Sequence, residues 1–157
     1  MNLIIGIMYA DDGLFDKVKE SLISLYGPIK IETEPYDFTQ FTKYYEKEMG
    51  SKILKKFFIF EKKIEKKDLV EIKQEITLIE KKYSVDDKRQ INLDPGFISN
   101  EELTLASFKK GTNYKENLGS GVYAHKVLEF KPLKTFWHTF PDYKKFKDKF
   151  SEIGILT

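Results

Sequence analysis

Two carboxylates stand out as residues whose type and setting could do chemistry. In Asn92-Leu93-Asp94-Pro95-Gly96, Asn92 and Asp94 fall on one side of a strand end, where carboxylates act as bases or bind hard cations such as Mg²⁺. The alternative is an Asx turn, with Asp94 bonded to its own backbone. Glu48 follows Tyr44 by four residues, so on a helix the two either hydrogen-bond and present a carboxylate to a cleft or form a solvated pair. Tyr45 lies on the apolar stripe of the same helix, with Phe41 and Met49.

A second group lies further along. Residues 122–130 and 134–140 alternate as a β-hairpin around Lys131-Pro132-Leu133. A three-residue loop there sets Val127 opposite Trp137 and His125 opposite Thr139, so that Tyr123, His125 and Trp137 share one face. His125 is one of two histidines in the chain and the best single candidate for a general acid or base. The plainer reading is a half-exposed histidine packed beside a tryptophan. Gly119-Ser120-Gly121 reads either as an anion-binding nest or as the tight turn that opens the hairpin.

Absences narrow the chemistry. The chain has no cysteine, which removes disulfide scaffolds, thiolate metal sites and cysteine nucleophiles. It carries no P-loop, no G-x-G-x-x-G after a strand, no H-E-x-x-H and no G-x-S-x-G. Arg89 is the single arginine, so anion binding falls to lysines acting as point charges. The apolar run at residues 2–9 is too short to span a bilayer and lacks a basic leader. A cytoplasmic location with no membrane partner is expected.

The elements that would position these residues are legible from periodicity. At 157 residues with 41% hydrophobic content, the chain fits one domain, residues 1–157, with a real core. Residues 2–9 read as a strand buried on both faces. Asp12 is a helix N-cap before Leu14, Phe15, Val18, Leu22 and Leu25, and Gly27 ends that helix. Ile29, Ile31 and Thr33 alternate as a half-exposed strand. A short helix is predicted over residues 38–49, a strand over 53–60, and a long helix through Leu69, Ile72, Ile76, Ile79 and Tyr83. A short strand at residues 90–93 runs into a type II turn at Asp94-Pro95-Gly96. Ser99 and Glu102 form a capping-box pair for a brief helix closed by Gly111. This order predicts an α+β fold with a ferredoxin-like split βαβ core, βαββαβ with a short inserted helix, extended by the C-terminal β-hairpin.

The blocks Asp37-Phe38-Thr39, Tyr44 to Gly50, Asn92 to Gly96, Leu105-Ala106-Ser107, Gly119 to Ala124 and Phe140-Pro141-Asp142-Tyr143 follow in this order. Together they resemble a prokaryotic family known as domain of unknown function 4416. Members are sometimes labelled GTP-binding, a label for which the missing P-loop gives no physical basis here. The family often carries a His-Arg pair shortly before the Gly-x-Gly turn, where this chain has Tyr114-Lys115. Within the shared blocks lie Tyr45, Glu48, Asn92, Asp94, Tyr123 and Asp142, whereas His125 lies just past one.

Two functions are expected. In the first, Glu48 and Asp94 converge as catalytic groups in a small-molecule or anion-binding site, hydrolytic and Mg²⁺-assisted, and Tyr45, Asn92, Tyr123, His125 and Asp142 contact the ligand. In the second, the Lys-rich aromatic carboxyl-terminal half is a non-catalytic binding module for RNA or a protein partner. Residues 122–150 hold seven Lys against three acidic residues.

Overall fold

The apolar run at the amino terminus is the strand β1 (Asn2–Tyr9), and every one of its residues is buried, whereas the helix that follows buries only one stripe. The structure is a computed structural model that describes residues 1–40, 46–50, 52–99, 101–111, 114–129 and 134–135. After β1 come α1 (Asp12–Tyr26), β2 (Ile29–Glu32), β3 (Tyr36–Asp37), a 3₁₀ turn at Phe38–Gln40 and α2 (Glu46–Met49). Then follow β4 (Leu54–Lys63), α3 (Asp68–Lys82), β5 (Ile91–Ile98), β6 (Glu102–Ser107), β7 (Tyr114–Gly119), β8 (Val122–Glu129) and β9 (Lys134–Thr135). The class is α+β.

One antiparallel sheet runs β2-β4-β1-β5-β6-β8-β7, with β3 beside β4 and β9 beside β8. Each long helix carries the chain over a skipped strand: α1 leads from β1 across β4 to β2, and α3 leads from β4 across β1 to β5. Both helices lie on one face, where Phe15, Val18 and Leu22 of α1 and Leu69, Ile72 and Ile76 of α3 meet Leu3, Ile5, Ile7, Phe58, Phe60, Ile91 and Leu93. Alternation along the strands sends Ile4, Phe57, Ile59, Ile98, Leu103, Leu105 and Val127 to the opposite face. Met8 on that face packs under Phe38, Met49 and Ile53, which lie over one end of it. Asp11, one residue before the predicted cap, caps α1 by accepting the Leu14 N–H at 2.9 Å, worth about 1 kcal/mol.

Four local expectations are corrected. The predicted turn at Asp94-Pro95-Gly96 is the middle of β5, because β1 pairs with it continuously from Tyr9↔Ile91 to Asn2↔Ile98. Gly96 is required there for a different reason. A Cβ on it would lie 2.0 Å from the Thr104 carbonyl oxygen and 2.9 Å from Leu105 Cα, so its absence is what allows β6 to approach. The predicted helix after Ser99 is a hairpin turn. Ser99 N–H donates to the Glu102 carbonyl and Ser99 Oγ accepts the Glu102 N–H at 3.3 Å, the bond expected of a capping box, here closing two strands. The predicted helix over 38–49 is the 3₁₀ turn and the short α2, with residues 41–45 outside the described part. Finally, β8 and β9 pair as Leu128↔Thr135 and Glu129↔Lys134, one residue off the predicted register. His125 is flanked instead by Leu105 of β6 and Tyr114 of β7.

The Gly119-Ser120-Gly121 segment is the turn between β7 and β8. Its central pair has φ of 52° at Ser120 and 77° at Gly121, the doubly positive pattern of a type I′ hairpin. Asp86 and Asp87, at 51° and 59°, make the same kind of turn between Val85 and Lys88, whose N–H and C=O groups bond reciprocally at 2.9 and 3.0 Å. That turn sets the direction of the next residue, Arg89.

Candidate functional site

The site grows out of a split in the sheet. β5 pairs with β1 over its whole length, but with β6 only at Gly96, Phe97 and Ile98. Leu93 turns its backbone groups away from β1, and α3 supplies the missing partners: Glu80 Oε2 accepts the Leu93 N–H at 2.8 Å and Lys73 Nζ donates to its carbonyl at 3.5 Å. Backbone groups alternate edges along a strand, so Pro95, two residues on, faces the same edge and deprives β1 of nothing. Proline thus sits where β6 peels away.

Asn92 and Asp94 project to the face opposite the helices, and there a continuous polar chain forms. Glu48, on α2, takes both Nε and Nη2 of Arg89 at 3.1 Å and also the Arg89 backbone N–H at 3.1 Å. Arg89 Nη1 donates to Asn92 Oδ1 at 2.7 Å. This fixes the amide orientation, so Asn92 Nδ2 donates to Asp94 Oδ2 at 3.0 Å. The same oxygen lies 3.5 Å from Lys55 Nζ. Lys55 belongs to β4 and Asp94 to β5, with β1 between them; Gly6, paired with both Phe57 and Asp94, leaves room for the lysine to cross. A Cβ there would stand 3.4 Å from Lys55 Cε and 2.9 Å from Phe57 Cε1.

The electrostatics separate the two carboxylates. Hydrogen bonds from Arg89 hold the Glu48 carboxyl below its usual range, against partial burial that works the other way, and the Lys109 charge adds to the lowering. Its lone pairs are committed to one guanidinium in a bidentate pair, so Glu48 positions Arg89. Asp94 has its Oδ2 engaged, whereas its Oδ1 takes no hydrogen bond from the described residues, and its side chain is 28% exposed. Beneath them, burial pushes the Glu80 carboxyl above the usual range, opposed by the Leu93 N–H and by Lys73. Glu80 Oε2 is also 3.9 Å from Arg89 Nη1.

Lys55 is the most unusual member. Its side chain is 4% exposed, its Nζ lies 5.0 Å and 5.4 Å from the ring centroids of Phe38 and Phe57, and its one hydrogen-bonding partner among the described residues is Asp94 Oδ2. An ammonium has three N–H donors, and buried donors are costly to leave unused.

Of the residues nominated from sequence, Glu48, Asn92 and Asp94 come together through Arg89. Tyr123 and His125 lie on β8, separated from β5 by β6: Gly96, Leu105 and His125 form one row across the sheet. His125 Nε2 sits 2.8 Å from the Lys109 carbonyl oxygen and its ring covers Gly111, so it fastens the loop after β6. Tyr45, Asp142 and Trp137 lie outside the described residues. Among the described residues, no group of three His, Asp or Glu side chains is arranged to hold a metal ion, and no helix is long and apolar enough to cross a membrane.

Sequence reasoning missed Lys55, Lys73, Glu80 and Arg89. A signal existed for two of them, since Lys73 and Glu80 follow Leu69 by four and eleven residues and so share its buried stripe. No curated protein and no solved structure matches the chain. The family described as Domain of unknown function (DUF4416) matches residues 1–153, a span that includes every residue of the polar chain, and the protein belongs to that family.

Proposed function

We propose that the protein binds a small polar molecule on the face opposite its helices, with Lys55 taking an acceptor oxygen of the ligand and Asp94 Oδ1 taking a donor. The observation that carries this reading is the buried Lys55 ammonium, whose single hydrogen-bond acceptor among the described residues stands at 3.5 Å. Glu48, Arg89 and Asn92 act behind the contact surface by fixing the Asp94 carboxylate. Of the two carboxylates, Asp94 is the one with a free oxygen to serve as base in a hydrolytic version, and Lys55 is placed to stabilise developing oxyanion charge. Mg²⁺ suits this position poorly, because the Lys55 cation already holds Asp94 Oδ2.

A thermal-shift series with phosphate, acetate, glycine and Mg²⁺ tests the reading. An oxygen-bearing solute is expected to raise the Tm of the native protein and to leave that of Lys55→Met unchanged. If no solute acts, or if the variant responds equally, the reading is wrong. Binding of RNA or a protein partner draws on the lysines and aromatics of residues 122–150, of which 122–129 and 134–135 are described, so the site on β4 and β5 carries the proposal.

A further inference from the structure

We infer that the ligand is a small zwitterion of the 2-amino acid class, its carboxylate on Lys55 and its ammonium on Asp94. The inference rests on the binding reading above and narrows it. Lys55 Nζ and Asp94 Oδ2 are 3.5 Å apart, so a ligand group that reaches the ammonium also comes within a few ångströms of the carboxylate. A bare anion gains the attraction of Lys55 and meets the repulsion of Asp94 at nearly the same distance, and a bare cation meets the reverse. Asp94 is locked as an acceptor: Arg89 Nη1 holds Asn92 Oδ1, which leaves Asn92 Nδ2 to donate to Asp94 Oδ2 and aims Oδ1 away from that bond. The pair therefore presents one donor cation beside one acceptor anion. A molecule with opposite charges on neighbouring carbons mirrors it, and both contacts become charge-assisted.

The surrounding charges support a ligand without net charge. Glu48, Glu80 and Asp94 are joined with Arg89, Lys73 and Lys55 in one connected set of three carboxylates and three cations, with the Lys109 charge acting on Glu48 from outside it. Titration of the full chain with glycine, acetate and methylammonium, followed by calorimetry and thermal shift, decides the matter. Glycine is expected to bind at least about tenfold more tightly than either half-molecule, the factor one added charge-assisted contact supplies. Larger 2-amino acids then report how much space surrounds the pair. Asp94→Asn is expected to reduce glycine binding and leave acetate no weaker. Acetate or phosphate binding as tightly as glycine would overturn the zwitterion while leaving the binding site intact. A flat response to all three, and to phosphate, would overturn the site as well. The native comparison stands alone if the variant does not fold.

Discussion

Replacing Gly96 with alanine tests the reason that residue is glycine. The added Cβ would sit 2.0 Å from Thr104 O and 2.9 Å from Leu105 Cα, whereas a carbon and an oxygen need roughly 3.3 Å or more to avoid repulsion. The obstructing atoms are backbone, so rotamer changes give no relief and β6 must retreat by more than about 1 Å. That retreat strains the pairs Gly96↔Leu105, Phe97↔Thr104 and Ile98↔Leu103, the only ones joining β5 to β6. Phe97, Leu103 and Thr104 in these pairs are at most 1% exposed. Overpacking alone costs about 1–3 kcal/mol; with ladder hydrogen bonds at about 1 kcal/mol each, a loss of about 3 kcal/mol or more is expected. For a chain of this size that lowers Tm by roughly 6–12 °C, measurable by circular dichroism. Gly96→Asn discriminates between the two explanations, since a type II turn accepts asparagine at its φ > 0 position and a close strand crossing does not. Gly96→Ala within about 2 °C of the native Tm, or Gly96→Asn matching the native protein, would refute the close-approach argument.

Other outcomes follow from the same geometry. Gly6→Ala should cost about 1–3 kcal/mol, because Phe57 is fully buried and cannot swing its Cε1 away from a Cβ at 2.9 Å; an unchanged urea midpoint would contradict it. Glu48→Gln should lower stability by about 1 kcal/mol at neutral pH, the usual scale for a partly exposed bidentate pair. The Glu48 carboxyl is held below its ordinary range in the fold, so its contribution is present above the unfolded-state pKa and is lost as pH falls through the folded one. The gap between native and variant melting curves should accordingly close in acid. Glu80 runs the opposite way: its carboxyl is raised, so the folded state binds the proton more tightly and stability falls as pH rises past the unfolded-state pKa. Glu80→Gln, which keeps an acceptor for the Leu93 N–H, should gain on the native protein as pH rises from the ordinary carboxylate range towards the raised folded-state pKa; a difference that does not change with pH would count against it.

The elements that follow from apolar periodicity were legible in the sequence. The eight-residue apolar run could only be an interior strand, and the stripes through Val18 and Ile76 could only face a sheet. Legibility failed where one residue serves two local grammars. Asp-Pro-Gly is turn chemistry when read alone, yet here each residue answers to a neighbour distant in sequence: Asp94 to Lys55, Pro95 to the departing β6, Gly96 to Thr104. Ser99 and Glu102 make a capping-box bond in a hairpin because that bond needs only a tight turn of chain, which helix starts and hairpins share.

The candidate site follows the same division. Asn92, Asp94 and Glu48 could be nominated because carboxylates near predicted element ends invite attention, but the groups that give them distinct roles are charges placed by tertiary contacts. Arg89 looked like a reason against guanidinium chemistry because it is alone, whereas its singleness and its central position are compatible: one guanidinium joins α2, β5 and, at 3.9 Å, α3. Lys55 heads an apolar strand and reads as an edge charge until its Nζ is seen to reach across β1 to Asp94 on β5. Remove Arg89 and the Asn92 amide loses the contact that orients it. Lys55→Met should therefore abolish ligand response at little cost in stability, since a buried, weakly paired charge gives way to an apolar chain of similar volume. Arg89→Met should be the more damaging of the two, because it strands Glu48 and leaves Glu80 with one fewer cation. If melting curves rank these two variants in the reverse order, Arg89 is not the residue that holds the site together.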